Sequence, residues 1–429
     1  MNHSLFDIHR AVAPSGLRLL ALPMKGTGTV TVMAFVATGS RYEDAEESGV
    51  SHFLEHLFFK GSKKRPTTLI ISEALDEVGG EFNAFTSKEM TAFYAKASAK
   101  HTKLLLDVIG DMLINPLFQQ KEIDRERGVV IEEMNMYEDS PQDSIGEQFE
   151  QQLFGEHDLA RKIIGTKEII STITKKRIVK YRNQQYGAPN MVVCIAGNIE
   201  PGKALAMLKK QFSGLPKQTP VKTREFDGVW GTDLVSLKVK KTDQAHVIVG
   251  GRGTSLTDND RCAVDLLGTI LGGSMSSRLF IEVRERRGLA YSVHTAAEHF
   301  IDTGYVATQI GVDPSNVEKA LSVILKEYKK IREVPVGVIE LKKAKENIKG
   351  HLLIRLESTN AVAQFVGGQE TLTGRILSLE DVFKSFDAVT PADIQRVAKK
   401  YLASEYLRIA AIMPNDTKNE LNKLLTKEV

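Results

Sequence analysis

Apolar residues along the chain follow two periods, one typical of strands and the other of helices. Residues 17–22 and 29–37 form short, mostly apolar runs that predict buried strands near the start of the chain. Similar runs at 191–197, 235–239 and 246–250 predict further strands, the last two at the start of the second half. Long helical patterns lie between these groups, and neighbouring strands have hairpin-like spacing. This order favours an α+β fold with largely antiparallel sheets rather than a βαβ repeat.

The stretch between residues 48 and 138 has the clearest local signals. Ser48 is a candidate N-cap for a helix that continues to Lys60, and Gly61 is a candidate stop signal. Residues 81–86 and 89–97 alternate around Ser87-Lys88, which predicts a β-hairpin. Further helices are predicted at about residues 68–78, 100–114 and 121–137, the last ending before Pro141.

Two pairs of similar segments lie 215 residues apart, which indicates an internal duplication. The segment from Ala37 to Ser40 is echoed by the one from Arg252 to Ser255, and a segment starting at Tyr186 is echoed by one starting at Tyr401. Coincidence between common strand patterns is the alternative. Glycine and proline interrupt any period within residues 214–233. We therefore predict an N-terminal domain 1–213, a linker 214–233 and a homologous C-terminal domain 234–429.

The composition is that of a globular protein with a sizeable core. Of 429 residues, 42% are apolar and 26% charged, which excludes a disordered or fibrous chain. The net charge of +3 gives no field that would gather nucleic acid or an anionic membrane. No apolar run is long enough to span a bilayer, and the first 20 residues lack an export signal. Two cysteines, Cys194 and Cys262, are expected to be small core residues. We expect a cytoplasmic protein with no nucleic-acid or membrane partner.

The first predicted helix carries the sequence His52-Phe-Leu-Glu55-His56. Residues four apart lie on one helical face, so His52 and His56 can offer imidazole nitrogens to one tetrahedral Zn²⁺. Glu55 lies beside that face, where a carboxylate can take a proton from a zinc-bound water as general base. This H-x-x-E-H order is that of the inverzincins. The alternative is a core helix that happens to carry two histidines.

A catalytic zinc needs a third protein ligand and an open position for water. The predicted helix at 121–137 offers Glu126, Glu132 and Glu133. Glu126 and Glu133 are seven apart and share a face, whereas Glu132 points about 100° away. A charged, solvated helix surface is the alternative reading of all three. Spacing alone leaves the choice of ligand open.

The choice of the third zinc ligand follows from the resemblance of three segments to a known family. They are His52-Phe-Leu-Glu-His56-Leu-Phe-Phe-Lys-Gly61, Asn83-Ala-Phe-Thr-Ser87 and Glu126-Arg-Gly-Val-Val-Ile-Glu-Glu133-Met134. Together they resemble the pitrilysin family of zinc peptidases, in the branch of the mitochondrial processing peptidase beta subunit and its small bacterial relatives. In that family the third ligand follows the second histidine by 77 residues, which is the position of Glu133. The resemblance thus implies one Zn²⁺ per chain held by His52, His56 and Glu133, with Glu126 supporting a histidine.

The resemblance also assigns residues outside the helix pair. A segment from Gly272 to Ser292 resembles the family's C-terminal signature, in which an arginine and a tyrosine seven apart help bind substrate and the tetrahedral intermediate; Arg284 and Tyr291 have that spacing. Without the family, the same segment predicts a helix with basic residues near its end, closed by Gly288 and followed by a strand. The mitochondrial processing peptidase has a longer glycine-rich loop, which is reduced here to Gly272-Gly273-Ser274. This departure favours the bacterial branch of the family over a role in presequence processing.

The first half contributes a predicted substrate strand. By the same resemblance, Asn83, Ala84 and Phe85 offer main-chain groups to an extended peptide by strand addition. An asparagine in an ordinary hairpin is the alternative.

The family's architecture implies two homologous domains that face each other as half of a clamshell, with the active site in an enclosed chamber. The duplication aligns His52 and His56 with Leu267 and Leu271, so the second half has no zinc motif. The sequence thus predicts a zinc metalloendopeptidase that cleaves peptides or unfolded segments, as a homodimer. The alternatives are a non-catalytic structural subunit of the same fold, and an enzyme active only with an unlike partner subunit.

Overall fold

The computed structural model describes residues 7–221 and 223–427 and confirms the α+β class. Its chain forms two compact units, each built from three separate segments of sequence. The first unit comprises residues 1–135, 161–224 and 353–380, and the second comprises 136–160, 225–352 and 381–429. Because these units are discontinuous in sequence, they do not correspond to the contiguous domains 1–213 and 234–429, which stay a prediction.

Strands supply the centre of each unit. In the described residues they are β1 (His9–Val12), β2 (Arg18–Pro23), β3 (Thr29–Val36), β4 (Glu81–Thr86), β5 (Thr91–Ser98), β6 (Met191–Gly197), β7 (Val235–Val239), β8 (Ala245–Arg252), β9 (Ala290–His299), β10 (Gly304–Val312) and β11 (Arg408–Met413).

Helices surround the strands. In the described residues they are α1 (Val50–Phe58), α2 (Thr68–Asp76), α3 (Thr102–Ile114), α4 (Gln120–Asp139), α5 (Pro141–Phe154), α6 (Lys167–Thr172), α7 (Lys175–Gln185), α8 (Pro201–Gln211), α9 (Arg261–Gly272), α10 (Val317–Glu333), α11 (Val338–Arg355), α12 (Thr359–Thr373), α13 (Leu379–Ala388), α14 (Pro391–Tyr401) and α15 (Lys418–Lys427). A single turn with π-type bonding covers Phe280–Glu285.

The two sheets repeat one topology, which confirms the duplication. The first has the strand order β1-β2-β6-β3-β5-β4 and the second has β7-β11-β8-β10-β9. In each sheet one pair is parallel, β2 with β6 and β7 with β11, and the other pairs are antiparallel. If β2 is matched to β7, the last five strands of the first sheet correspond in order to the second sheet. Strand β1 is an addition at one edge of the first sheet.

Both faces of each sheet's central strands are covered by helices. On β3, Val30, Val32 and Ala34 face the main core, whereas Thr31 and Phe35 face α12. On β8, Val247 and Val249 face the main core of the second unit, and Ile248 faces α5. Alternate residues of a strand point to opposite faces, so coverage on both sides explains the nearly continuous apolar runs at 29–37 and 191–197.

Segments from each half of the sequence contribute to the other half's sheet. Helix α12, from the second half, packs on β3 and β6 in the first unit. Its Glu370 is fully buried, and the Arg10 guanidinium lies 2.5 Å from the Glu370 carboxylate. Helix α5, from the first half, packs on β8 and β11 in the second unit.

Local predictions near the motif are confirmed with two corrections. Helices α1 to α4 and strands β4 and β5 form where predicted. The predicted N-cap Ser48 is wrong, because the N-cap is Gly49 with a positive φ of 92°. The hairpin turn spans 87–90 rather than two residues, with the Ser87 hydroxyl donating to the Met90 carbonyl.

Cys194 is buried and Cys262 is half-buried. In the parts of the chain that are described, no helix has both the length and the apolarity needed to cross a bilayer.

Candidate metal centre

Helix α1 places its apolar residues in the core and most of its polar residues at the site. Val50, Phe53, Leu54, Leu57 and Phe58 are buried. The other side of the helix carries His52, Glu55 and His56, which are half-buried. A helix period of 3.6 residues explains this division, since the two histidines are one turn apart.

Helix α4 brings acidic side chains to the same place. The Nε2 atom of His52 lies 3.7 Å from Glu133 Oε1, and the Nε2 atom of His56 lies 3.4 Å from Glu133 Oε2. Glu126 also reaches α1, whereas Glu132 is exposed on another side of α4. Of the three candidate glutamates, Glu133 is the one that lies beside both histidines, and its role as a metal ligand stays a prediction.

The three side chains fit a zinc ion. One potential ligand atom from each of His52, His56 and Glu133 lies within 4.8 Å of the others. Tetrahedral ligands at about 2.0–2.2 Å from zinc are roughly 3.4 Å apart, close to both observed nitrogen–oxygen distances. Two imidazoles and a carboxylate are also a common donor set for catalytic zinc.

His56 is oriented by a charged partner. Its Nδ1 lies 2.9 Å from Glu126 Oε1, and the Lys60 ammonium lies 2.7 Å from Glu126 Oε2. The ring therefore turns Nε2 toward Glu133. Burial would lower the pKa of His56, but the hydrogen bonds and charges of Glu126 and Glu133 raise it to about 9. The carboxylates that attract this proton would also attract a divalent cation.

His52 is held differently. Its side chain is the most buried of the three, and its Nδ1 has no hydrogen-bond partner among the described residues. Burial and the neighbouring His56 lower the pKa of His52 to about 4. A lowered pKa favours the neutral ring, which is the form that binds a metal.

Glu55 lies beside the cluster and is fixed by strand β4. The Thr86 hydroxyl donates to Glu55 Oε2 at 2.6 Å. Burial raises the pKa of the Glu55 carboxyl above its usual value, and the Thr86 hydrogen bond and His56 oppose that rise. A carboxylate with a raised pKa is suited to proton transfer near neutral pH.

The predicted substrate residues lie on an edge strand. Strand β4 is the last strand of the first sheet, so its outer edge is unpaired within the described residues. The Asn83 side-chain oxygen accepts from the Ala84 N–H at 2.8 Å, which places that N–H away from β5. Phe85 pairs with Ala92 of β5. The outer edge of β4 is where an extended peptide would add as a strand, and the substrate role of Asn83, Ala84 and Phe85 stays a prediction.

Arg284 and Tyr291 are brought together within the second unit. The Arg284 guanidinium donates to the Tyr291 carbonyl at 2.9 Å and lies over the Tyr291 ring, 4.9 Å from its centroid. The Tyr291 side chain is highly exposed, at 77%. The predicted helix and strand are confirmed, the helix as the π-bonded turn Phe280–Glu285 and the strand as β9, with Gly288 between them at a positive φ of 61°.

The second unit has no counterpart of the histidine pair on its matching helix. Leu267 and Leu271, which align with the histidines, are fully buried in α9. Among the described residues, His52, His56 and Glu133 form the one group of three or more metal-ligating side chains that lie close together.

Sequence reasoning missed three residues that support the site. Lys60 pairs with Glu126, Thr86 holds Glu55, and the buried Glu43 accepts hydrogen bonds at the start of α1. Lys60 lies in the segment His52–Gly61 and Thr86 in the segment Asn83–Ser87, so their positions within these motifs could have indicated a supporting role. Glu43 has no such signal, because it reaches α1 through a loop.

These features define a two-unit α+β protein with an inverted zinc motif, and the comparisons with known proteins agree. Residues 20–167 match the insulinase family, peptidase family M16, and residues 172–348 match the peptidase M16 inactive domain. The chain belongs to peptidase family M16.

Related proteins cover nearly the whole chain. An uncharacterized zinc protease of Streptomyces coelicolor is 37% identical over 93% of this chain and 88% of its own length. The uncharacterized zinc protease YmxG of Bacillus subtilis is 32% identical over 95% of this chain and 98% of its own. The crystal structure of a protease from Helicobacter pylori has the same fold, with a TM-score of 0.88 and 24% identity over 95% of this chain and all of that one.

Proposed function

We propose that this protein is a zinc-dependent metalloendopeptidase that hydrolyses peptides or unfolded segments within an enclosed chamber. One observation carries the proposal. Two imidazoles and a carboxylate converge at ligand distances, and a fourth side chain, the Glu55 carboxylate, is near enough to interact electrostatically with His56 and Glu133. A structural zinc site would close the fourth position with another ligand rather than leave an acid beside it.

The chain's own residues have distinct roles in this reaction. His52, His56 and Glu133 would hold one Zn²⁺, which supplies Lewis acidity toward the scissile carbonyl and water. Glu55 takes a proton from the attacking water and later delivers it to the leaving amine. Thr86 holds one oxygen of Glu55, so the other oxygen is the one that transfers the proton. Glu126 keeps His56 in the tautomer with a free Nε2.

Substrate binding is assigned to main-chain and side-chain groups. Asn83, Ala84 and Phe85 pair with an extended peptide along the free edge of β4. Arg284 and Tyr291 bind the substrate chain and the tetrahedral intermediate. We propose that the chain acts as a homodimer, which the mass of the purified protein in solution tests.

The test is cleavage of a quenched, unstructured peptide by the purified chain. Wild type should cleave, a chelator should stop cleavage, and added zinc should restore it. Glu55→Gln should retain stoichiometric zinc and lose about 10²–10⁴-fold in rate, since it removes the general base. Glu132→Gln, on the exposed side of α4, should cleave like wild type.

Other outcomes would redirect the proposal. If zinc-loaded wild type is inert toward varied peptides, the single chain is not the enzyme, and an unlike partner subunit or a structural role replaces the proposal. If Glu55→Gln retains full activity, Glu55 is not the base.

A further inference from the structure

The start of α1 has an unusual cap. The N-cap is Gly49, which has no side chain to accept from the first N–H groups of the helix. A Cβ at Gly49 would lie 2.5 Å from the Ile164 carbonyl oxygen, and the φ of 92° also disfavours other residues. The usual serine, threonine or aspartate cap is therefore excluded at this position.

Glu43 replaces the missing cap. Its Oε2 accepts from the Gly49 N–H at 2.7 Å, and its Oε1 accepts from the Ser51 N–H at 2.8 Å. One carboxylate thus satisfies two of the orphan donors at the positive end of the helix. Burial raises the pKa of Glu43 to about 8, while these two N–H groups and Arg161 act in the opposite direction.

A second anchor acts on the next side chain. The Ser51 hydroxyl lies 2.8 Å from the Tyr181 hydroxyl, which lies 2.9 Å from the Thr38 hydroxyl. Tyr181 is buried on α7. The first turn of α1 is therefore held through its main chain by Glu43 and through Ser51 by Tyr181.

His52 immediately follows Ser51 and depends on this anchorage. His56 has Glu126 to fix its ring, but His52 has no partner at Nδ1 among the described residues. The position of the His52 ring is thus set by its backbone and by packing. A small rotation of the first turn would move His52 relative to His56 and Glu133.

We infer that Glu43, together with Tyr181 acting through Ser51, is a positioning residue that sets the geometry of His52 in the metal centre. The inference rests on the proposed zinc site and adds residues outside the zinc motif that control its affinity and coordination. Neither Glu43 nor Tyr181 contacts the ligand atoms, so both act through the helix.

The chain offers a matched control. Glu200 caps α8 in the same way, accepting from the N–H groups of Gly202 and Lys203 at 2.9 and 2.7 Å. Helix α8 carries none of the proposed ligands. Glu43→Gln and Glu200→Gln therefore each replace a carboxyl group that accepts from two N–H groups at a helix start, one buried on the metal-binding helix and one exposed on a different helix.

The experiment compares zinc affinity and cobalt spectra in the full-length chain. Zinc affinity is measured by competition with a chelator, and coordination by the visible absorption of the Co²⁺-substituted protein. Glu43→Gln should weaken zinc binding about tenfold, as does the loss of a residue that supports a metal ligand by hydrogen bonding. It should also change the Co²⁺ spectrum. Glu200→Gln should lower the melting temperature at most and leave affinity and spectrum unchanged.

The outcomes separate the two proposals. If wild type binds no stoichiometric metal, the proposed function fails. If wild type binds zinc but Glu43→Gln has the same affinity and spectrum, the positioning inference is overturned while the zinc site stands. If Glu43→Gln does not fold, Ser51→Ala decides, since it removes the Ser51 hydroxyl, which contacts Tyr181 and Glu43, and leaves the two main-chain bonds to Glu43 in place. It should weaken zinc binding in the same direction, and unchanged binding and spectrum would overturn the inference.

Discussion

At the scale of single residues, the contact between His56 and Glu126 predicts that zinc affinity depends on the Glu126 carboxylate. Replacing Glu126 by glutamine keeps the side-chain shape but removes the charge that supports His56 and pairs with Lys60. We expect zinc affinity to fall about 10-fold, because metal ligands depend on their outer partners. Chelator competition measures it. Glu132→Gln, on the same helix, is the control, and equal affinities for the two variants would contradict the role of Glu126.

His299, far from the metal centre in sequence, is expected to make the stability of the protein depend on pH. In the second unit, His299 Nε2 lies 2.9 Å from Asp265 Oδ1, and its Nδ1 lies 2.9 Å from the Thr254 carbonyl oxygen. Burial and Arg261 lower the pKa of His299, but the bonds and charge of Asp265 and the Thr254 carbonyl outweigh them and raise it. A raised pKa in the folded state stabilises the protein below about pH 6.5, the unfolded value, and that contribution disappears as pH rises through the folded value.

The measurement is urea unfolding across pH 5.5 to 8.5. Asp265→Asn should cost about 1.5 kcal/mol at the acid end and less at the alkaline end, so it flattens the pH dependence of unfolding. Asp243→Asn, on an exposed loop of the same unit, should leave that dependence unchanged. A parallel shift of the whole curve in Asp265→Asn would show that His299 does not titrate as proposed.

Residue-scale features differed in how far the sequence could predict them. The histidine pair follows from helix geometry, since a spacing of four places both rings on one face. The choice among Glu126, Glu132 and Glu133 depends on how α4 packs against α1, and spacing along α4 alone does not contain that information. Glu43 and Thr86 reach α1 from a loop and a strand, so no local pattern marks them.

At the scale of elements, the packing of α12 on β3 leaves no space at one position. A Cβ on Gly367 would lie 2.2 Å from Phe35 Cε2, and the Phe35 ring is itself fully buried. Gly367→Ala should therefore destabilise the protein by about 2 kcal/mol, because a filled core must move to accept the methyl group.

The adjacent residue provides the control. A Cβ on Gly368 meets only Met90 Cε, at 4.0 Å. Gly368→Ala should be neutral or more stable by up to about 1 kcal/mol, from helix propensity. Both values come from urea unfolding. If the two variants are equally stable, α12 does not pack as closely on β3 as the structure indicates.

Element boundaries show why some sequence signals succeeded. The hairpin strands are predictable from the sequence because polar and apolar residues alternate along β4, and β5 pairs with β4 along its whole length. Ser48 is a good cap residue by type, but the close approach of residues 164–165 forces a glycine at the N-cap one position later. A tertiary contact therefore overrode a local preference.

At the scale of the whole molecule, the exchange of helices was not visible in the sequence. The duplication predicted two similar halves, and the sheets confirm it. The amphipathic patterns of α5 and α12 show that each helix covers an apolar surface, but not which sheet supplies it. Each unit therefore needs a segment from the other half of the chain.

This exchange predicts that the N-terminal half will not fold alone. Residues 1–213 lack α12, so the side of β3 and β6 that α12 covers would be exposed. They also contain α5, whose buried Ile145, Phe149 and Leu153 would lose β8 and β11 as partners. We expect this fragment to unfold without a cooperative transition, to bind a hydrophobic dye and to hold no stoichiometric zinc.

A break in the chain at another place tests the cause. Residues 1–224 and 225–429, expressed together, contain both exchanged helices and are divided in the irregular segment between α8 and β7. Each piece supplies the helix that the other piece's sheet requires, so the pair should co-purify and unfold cooperatively. Cooperative unfolding of 1–213 alone, with bound zinc, would show that α12 is dispensable for the first unit. Failure of the co-expressed pieces to associate would show instead that chain continuity, rather than the exchange, holds each unit together.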